Sequence, residues 1–311
     1  MRPFASTIDN GEHCPRDDCL FVTAMVVDST PVSVEMPGIP FYIVDAFASK
    51  AFEGNPAAVC ILPPDHSKSD EWMQNVAAEI NLSETAFVIP ETQSLRWFTP
   101  AAEVDLCGHA TVATAAALLD AGRASVGDVL RFQTRSGGLS AELTSGNQVS
   151  LNFPSTPPEE LVEADQPNAD ELKSLLGEVV FLGKSRFDLL VELTDEQAVQ
   201  AFEPNFAKMK EWKFRGIMIT AESAREDVDF VSRFFAPAVG VDEDPVTGSA
   251  HCCLTPYWAR KLKKSSMNAS QLSRRGGQLQ VELKEDSGKG SGTERVLLQG
   301  NSVVVVKGIL V

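Results

Sequence analysis

The sequence predicts an α+β protein made of two similar halves, each organised around a buried helix, and three observations support this prediction. Residues Ala110 to Leu119 are almost entirely apolar, interrupted only by Thr111 and Thr114. A stretch that begins at Arg96 is repeated from Arg233 onward. Short runs of β-branched and aromatic residues, separated by glycine turns, surround both copies, which is typical of strands.

The apolar segment is predicted to be a helix that protein surrounds on every side. Alanine and leucine dominate it and favour helix, and a helix without a polar face has to be buried. The segment is too short to span a bilayer, so a soluble core must surround it. Its N-terminus at Gly108 and His109 would present free backbone N–H groups and the positive end of the helix dipole, which favour an anion.

The repeat indicates an internal duplication. Residues from Arg96 to Asp105 match those from Arg233 to Asp242 at a constant offset. After a short insertion, Gly108-His109-Ala110 matches Gly248-Ser249-Ala250. Two copies of one unit explain such repetition. The predicted organisation is a mostly flexible N-terminal extension at residues 1–38, a first half at residues 39–154 to which a strand near 302–311 could return, and a second half at residues 155–301.

Local patterns predict the other elements in chain order. In the first half, β-rich runs predict strands at residues 41–47, 57–62, 85–89, 129–134, 139–143 and 149–153. A cap at Ser69, apolar residues at four-residue spacing and Asn81 predict a helix between the second and third of these strands. The proline- and acid-rich stretch from Pro154 to Pro167 is the predicted linker. The second half repeats the order, and Pro256 predicts that its central helix kinks or starts anew.

Composition restricts the classes of partner. The chain carries 27 Lys and Arg against 43 Asp and Glu, a net charge of −16, which argues against nucleic acid and anionic membranes as partners. A small anionic substrate is compatible with this charge, because helix N-termini can bind anions locally. The six cysteines show no disulfide pattern, and the acidic first 38 residues resemble neither a secretory signal nor a transit peptide, so a cytoplasmic protein is expected.

Four polar residues are candidates for a site between the two helix N-termini, where a pocket between halves would form. His109 and Ser249 follow the first glycines of the two helices, Asp244 precedes the second helix, and Glu84 starts a predicted strand. Each also has an ordinary explanation: a capping histidine, a cap hydroxyl, a turn residue before Pro245 and a solvated acid, which the sequence favours for Glu84. Their equivalent places in a duplication favour a functional site when they are taken together.

At these residues the chain resembles the phenazine biosynthesis-like (PhzF-like) proteins, which share the diaminopimelate epimerase fold. The resemblance extends from about Phe41 to the C-terminus. The motifs that carry it are Asp45-Ala46-Phe47, Gly54-Asn55-Pro56-Ala57-Ala58-Val59, Asn81-Leu82-Ser83-Glu84-Thr85-Ala86-Phe87, Arg96-Trp97-Phe98-Thr99-Pro100, Leu106-Cys107-Gly108-His109-Ala110-Thr111 and Asp244-Pro245-Val246-Thr247-Gly248-Ser249-Ala250-His251.

The resemblance implies two pseudo-symmetric domains, each a mixed β-sheet curled into a barrel around a central α-helix, with the site in the cleft between them. It implies a homodimer that needs no cofactor and no metal. The proton-shuttling glutamate of the family corresponds to Glu84. The residues that line the cleft beside it correspond to His109, Asp244 and Ser249.

The hypothesis that follows is a cofactor-independent isomerisation of a small, carboxylate-bearing ring or diene. Burial in an apolar cleft is expected to raise the pKa of Glu84 toward neutrality, where a carboxyl group can both take and give a proton. His109 and Asp244 would hold and polarise the substrate. Ser249 and the N–H groups of Gly108 and Gly248 would bind its carboxylate.

Two alternatives remain open at this point. A two-base epimerase or racemase on the same fold uses a cysteine from each half; Cys107 is present, but Thr247 stands where the second would be. The other alternative is a catalytically inactive protein-interaction member of the family, because fold does not imply function.

Overall fold

The computed structural model of the protein describes residues 38–161, 174–285 and 294–311. The N-terminal extension predicted at residues 1–38 therefore lies outside the described residues, apart from its last residue. So does the second part of the linker predicted from Pro154 to Pro167.

Strands make up most of the described elements, and helices are few. The strands are β1 Ile39–Ala46, β2 Asn55–Ile61, β3 Glu84–Ile89, β4 Ser94–Phe98, β5 Glu103–Val104, β6 Val129–Thr134, β7 Gly137–Ser145, β8 Gln148–Pro154, β9 Glu159–Glu160, β10 Val179–Lys184, β11 Asp188–Leu193, β12 Gly216–Glu222, β13 Phe230–Ala236, β14 Val241–Asp244, β15 Ser266–Gln271, β16 Gly277–Glu285 and β17 Glu294–Leu310. The helices are α1 Asp70–Ile80, α2 Gly108–Asp120, α3 Glu196–Ala201, α4 Phe206–Met209 and α5 Gly248–Leu262.

The strands of the first half form a closed ring. Neighbouring strands pair in the order β1, β2, β3, β4, β6, β7 and β8. The long strand β17 closes the ring: its residues 295–301 pair with β8, and its residues 302–310 pair with β1. A closed ring leaves no unpaired sheet edge between these strands.

The central helix α2 fills this ring, as its composition predicted. It packs against β1, β2, β3, β7, β8 and β17, and its residues from His109 to Leu118 are all buried. The two threonines that interrupt the apolar segment satisfy their hydroxyls within the helix. Thr111 Oγ1 donates to the Cys107 carbonyl at 2.6 Å, and Thr114 Oγ1 donates to the Ala110 carbonyl at 2.7 Å. A buried hydroxyl with a backbone acceptor avoids the cost of an unpaired donor.

A second array of strands runs from β9 through β10, β11, β12, β13, β15 and β16 to β17. Its pairing order resembles that of the first. β2 and β3 are parallel, as are β11 and β12, and each parallel pair is followed by an antiparallel strand, β4 or β13. Strand β17 lies between β16 and β8 and therefore belongs to both arrays. Helix α5 packs against β15, β16 and β17 and also meets α2.

Pro256 neither ends α5 nor starts a new helix, so that alternative of the sequence-based prediction is wrong. The helix runs from Gly248 to Leu262 with Pro256 inside it. A proline cannot donate to the carbonyl four residues earlier, which here belongs to Cys252. The backbone N–H of Thr156, from the segment after β8, donates to that carbonyl at 3.0 Å. A tertiary contact thus replaces the missing helical hydrogen bond.

A buried histidine in α5 predicts acid sensitivity of the fold. Burial lowers the pKa of His251 from 6.5 to about 4, although a hydrogen bond to the Thr247 carbonyl opposes this. The unfolded chain therefore binds a proton that the folded protein excludes, and stability present above pH 6.5 is lost as the pH falls toward about 4. The wild type should lose about 3 kcal/mol relative to His251→Gln between neutral pH and about pH 4.

Urea unfolding of both proteins across this pH range checks the prediction. The difference between their free energies of unfolding gives the contribution of His251 to the pH dependence, because the other titrating groups are the same in both proteins. A difference that stays constant with pH would contradict a neutral, buried imidazole.

Within the described residues, no helix is both long enough and apolar enough to cross a bilayer.

Candidate active site

The N-termini of α2 and α5 lie so close together that a side chain on either first glycine would touch the other. A Cβ atom built on Gly248 would lie 3.7 Å from the Cα of Gly108, and one built on Gly108 would lie 3.8 Å from the Cα of Gly248. The first backbone N–H groups of a helix have no partner within the helix. The free N–H groups of both helices therefore lie near one another, where the two strand arrays meet.

Glu84 and His109 form a nearly buried ion pair beside this point. Glu84 is the first residue of β3, and His109 is the second residue of α2. Glu84 Oε2 lies 3.1 Å from His109 Nε2, and the two side chains are 18% and 7% exposed. The hydroxyl of Ser83 lies 3.3 Å from the same nitrogen. Glu84 is therefore not the solvated acid that the sequence alone favoured.

Asn55 joins this pair to Asp244 and is the residue that sequence reasoning did not assign to the site. It is completely buried at the start of β2. Its side-chain nitrogen lies 2.8 Å from Asp244 Oδ1, 2.9 Å from the Val246 carbonyl oxygen and 3.2 Å from His109 Nδ1. The only sequence signal was its place in the Gly54-Asn55-Pro56 motif, which reads equally well as a turn.

The hydrogen bonds made by the Asn55 side-chain amide favour a doubly protonated, positively charged His109. An amide nitrogen has two hydrogens, and its two shortest contacts are to the oxygens of Asp244 and Val246. None is left for His109 Nδ1, which can then carry its own proton. That proton can point to Cys107 Sγ, 3.6 Å away. Both ring nitrogens of His109 thus have neighbours that suit an imidazolium.

The expected direction of the Glu84 pKa shift is wrong. Burial does raise the pKa of Glu84, but the charge of His109 and hydrogen bonds from His109, Ser83 and Cys107 outweigh it, and the pKa is lowered. Burial likewise lowers the pKa of His109, while the charges of Cys107 and Glu84 raise it well above 6.5. Because burial also raises the pKa of the Cys107 thiol, we attribute the His109 shift mainly to Glu84. The pair is a carboxylate with an imidazolium.

At Asp244, unlike at Glu84, the effect of burial is not outweighed, and the pKa is raised. His109, Thr247 and Asn55 partly oppose this shift, and the charge of Glu84 adds to it. Thr247 Oγ1 donates to Asp244 Oδ2 at 2.5 Å. Asp244 is held at the end of β14, so the second half contributes its carboxyl group to the pair in the first half.

Ser249 is not part of this hydrogen-bonded group. It is exposed at the second position of α5, and its hydroxyl oxygen accepts a hydrogen bond from Arg215 Nη2 at 3.0 Å. Arg215, which sequence reasoning did not single out, also binds both carboxylate oxygens of Asp188. The structure therefore groups the predicted site residues Glu84, His109 and Asp244, and places Ser249 with a separate partner.

Among the described residues, Glu84, Cys107 and His109 form a group that could hold a metal ion. A carboxylate oxygen, the thiol sulfur and a ring nitrogen lie within 4.8 Å of one another. Metal binding would require a proton to leave both Cys107 and His109. The absence of a metal stays a prediction.

Arg275 and Gly276, from the second half, form hydrogen bonds that hold the backbone before Asn55. Arg275 donates to Asp45 Oδ1 at 2.7 Å and to the carbonyl oxygens of Gly54 and Glu53 at 2.8 and 3.0 Å. Gly54 N donates to the Gly276 carbonyl at 2.7 Å. Gly54 has a φ of 65°, which favours glycine. The backbone before Asn55 is thus fixed by residues more than two hundred positions away in sequence.

Replacing Asn55 with alanine should lower turnover by about 10- to 100-fold, because the change removes hydrogen bonds to the partly buried Asp244 carboxyl group and to the Val246 carbonyl oxygen. Asn152→Ala, which removes an exposed asparagine bound to Arg295, is the matched control. The rate of solvent deuterium uptake into substrate measures the effect. Equal rates for both variants would contradict a role for Asn55 in holding Asp244.

A polar groove of about 300 Å³ lies elsewhere, lined in part by Ser49, Gln148, Asn268 and Gln280. None of the predicted site residues lines it.

Comparison with known proteins agrees with the resemblance seen in the motifs. The family model described as phenazine biosynthesis-like protein matches residues 44–308. An uncharacterized isomerase of Halalkalibacterium halodurans is 48% identical over 271 residues, which cover 86% of this chain and 97% of that protein.

Solved structures give the same result. A phenazine biosynthesis PhzC/PhzF protein of Clostridium difficile superposes with a TM-score of 0.78 at 40% identity, covering 88% of this chain and 99% of the other. A hydroxyproline epimerase of Agrobacterium vitis, solved with trans-4-hydroxy-L-proline bound, has a TM-score of 0.60 at 15% identity and covers 88% of this chain and 90% of its own. That similarity shows a shared epimerase-like fold.

Proposed function

This chain belongs to the phenazine biosynthesis-like family and is an isomerase, and from that premise we propose that it moves a proton between carbons of a small carboxylate without a cofactor. The observation that supports this best is the buried pair of Glu84 and His109, bridged by Asn55 to Asp244. It combines a carboxylate base, a cationic donor and a second, partly buried carboxyl group.

In the proposed reaction, the Glu84 carboxylate removes a proton from a carbon next to an electron-withdrawing group and returns it at another carbon. His109 donates to the oxygen on which negative charge develops, as donors in an electrostatically preorganised site do. When His109 turns its N–H group toward the substrate, it stabilises the Glu84 carboxylate less. Burial then dominates, the pKa of Glu84 rises, and Glu84 holds the proton that it has removed more strongly. Asp244 accepts hydrogen bonds that orient the substrate and Asn55.

Two pseudo-symmetric domains, with the site between them, are part of this proposal. Two observations support them: the strands of the two arrays pair in a similar order, and Gly108 lies close to Gly248. A homodimer and a cytoplasmic location remain predictions, which light scattering and cell fractionation can test.

Deuterium uptake from solvent is the direct test. Protein treated with EDTA is incubated in D₂O with a panel of small ring and diene carboxylates, and product mass is measured. The proposal requires uptake at a carbon of at least one compound and no loss of rate after EDTA. Uptake that depends on an added metal or coenzyme would contradict cofactor independence.

The two-base epimerase is supported less well. Thr247 occupies the N-cap of α5, as Cys107 does in α2. Its hydroxyl donates to Asp244, and a threonine hydroxyl is too weak an acid to act as a thiol does. If the protein is instead an inactive interaction protein, the carboxylate panel should produce no thermal stabilisation that depends on His109.

A further inference from the structure

We propose that Arg215 is a positioning residue that holds the Ser249 hydroxyl as a donor for an anionic group of the substrate, and so makes the site prefer carboxylates to their neutral analogues. The inference rests on the proposed function for the location of the site. It adds a residue that determines substrate class.

Strand register assigns Arg215 the place that Ser83 has in the first half. Thr85 pairs with Phe98 in one array, and Ile217 pairs with Phe235 in the other. Phe98 and Phe235 correspond in the sequence repeat, so Ser83 corresponds to Arg215.

The helix partners correspond as well. His109 and Ser249 are the second residues of α2 and α5. The contact of Arg215 with Ser249 therefore matches that of Ser83 with His109. A contact between a hydroxyl group and an imidazole in the first half thus corresponds to a contact between a guanidinium and a hydroxyl group in the second.

Asp188 fixes the guanidinium of Arg215. Nε donates to Asp188 Oδ1 at 2.8 Å, and Nη2 donates to Oδ2 at 2.5 Å, the two-point geometry that suits arginine and carboxylate. The Asp188 side chain is 3% exposed, whereas that of Arg215 is 38% exposed. Phe187 adds a cation–π contact at 5.1 Å from the guanidinium carbon. The arginine head is thus held at a site open to solvent.

This geometry decides the direction of the Ser249 hydroxyl. A serine hydroxyl has one hydrogen and accepts through its oxygen lone pairs. Because the oxygen already accepts from Arg215 Nη2, its own hydrogen is directed away from the guanidinium. The result is a donor at the exposed start of α5, close to the approach of Gly248 to Gly108. A carboxylate has two charged oxygens that can accept from this hydroxyl and from a helix N–H group at once, whereas a primary amide has one neutral acceptor oxygen and an NH₂ group that cannot accept.

Asp188 neutralises the positive charge of Arg215. The arginine therefore affects substrate binding by orienting the Ser249 hydroxyl and not by its charge. Lysine is not equivalent, since a single ammonium group cannot bind both carboxylate oxygens in one plane and also reach Ser249. Removing Arg215 alone would leave a buried carboxylate unpaired and could unfold the protein. The main test variant therefore changes both residues.

The experiment compares benzoate with benzamide, which have nearly the same shape, in calorimetric titrations of the full-length protein. The wild type should bind benzoate at least about tenfold more tightly than benzamide, the range expected for one charge-assisted hydrogen bond. In Asp188→Asn/Arg215→Gln the ratio should fall at least about threefold, and the part that remains comes from the N–H groups at the two helix N-termini. Arg233→Gln/Glu243→Gln, which removes a similar two-point pair that does not bind Ser249, should keep the wild-type ratio.

Arg215→Lys keeps a positive charge beside Asp188 and provides a second variant if the double change does not fold. It should lower the benzoate preference at least about threefold, because lysine cannot make both contacts. No benzoate preference in the wild type, or an unchanged preference in Arg215→Lys or in a folded Asp188→Asn/Arg215→Gln, would overturn the proposal. Benzoate binding does not require proton transfer, so this result is independent of deuterium uptake and of Glu84.

Discussion

Replacing Glu84 with glutamine is expected to lower the rate of solvent deuterium uptake by about 10²- to 10⁴-fold, the contribution of a positioned acid–base group. Glutamine keeps the size of the side chain, and its amide oxygen can still accept from His109. It cannot take a proton from carbon at neutral pH. The variant should therefore fold normally, with the same far-ultraviolet circular dichroism, and should bind carboxylates without turning them over.

Two further variants sharpen this test. Glu91→Gln removes an acid that is 43% exposed and paired with Arg123, and it should leave turnover unchanged. Glu84→Asp keeps the carboxylate but withdraws it by one methylene group, so we expect an intermediate rate. Full deuterium uptake by Glu84→Gln would exclude this residue as the base.

Replacing His109 with glutamine should have the second largest effect, a loss of about 10²- to 10³-fold, as for removal of a donor to developing negative charge. The variant should also change the pH profile. Without the imidazolium, burial dominates the pKa of Glu84, which should rise above its usual value of 4.5. The acid limb of kcat/KM, which reports deprotonation of Glu84 in the free protein, should therefore move to higher pH.

The wild-type profile provides the reference for this shift. Its acid limb should lie below pH 4.5, and its alkaline limb well above pH 6.5, because the ion pair lowers the pKa of Glu84 and raises that of His109. His66→Gln, which changes a histidine bound to the backbone N–H of Lys68, should reproduce the wild-type profile. An acid limb that does not move in His109→Gln would show that His109 is not the group that holds Glu84 ionised.

The ion pair also contributes to stability in a defined pH range. The contribution from Glu84 is present above its usual pKa of 4.5 and is lost as the pH falls through its lowered value. That from His109 is present below 6.5 and is lost as the pH rises through its raised value. The pair therefore stabilises the fold most strongly between pH 4.5 and 6.5, the usual pKa values of the two groups, and its contribution falls on either side of this range.

Several features of the fold could be predicted because neighbours in sequence determine them. The apolar run at residues 110–119 required a surrounding shell, and the ring from β1 to β8 with β17 provides it. Helix α1 begins after Ser69, whose side chain accepts from Trp72 N, and ends at Asn81 in the left-handed region with φ 55°. Both caps were identified from residue type alone. The equivalence of Gly108 and Gly248 was also evident from the repeat, and the two residues lie close together.

The sequence by itself thus determined two buried helices and most of the strands around them, and its motifs, through their resemblance to a known family, indicated three of the polar residues gathered near the helix starts. Only the tertiary structure decided how those residues are charged and joined. Asn55 reaches Asp244 across 189 residues, and Arg275 supports Asn55 from the other half of the chain. Ser249 faces Arg215, and Glu84 carries a lowered pKa because His109 lies beside it. The physical reason is that secondary structure follows from short-range sequence patterns, whereas hydrogen bonding and ionisation depend on distances through space.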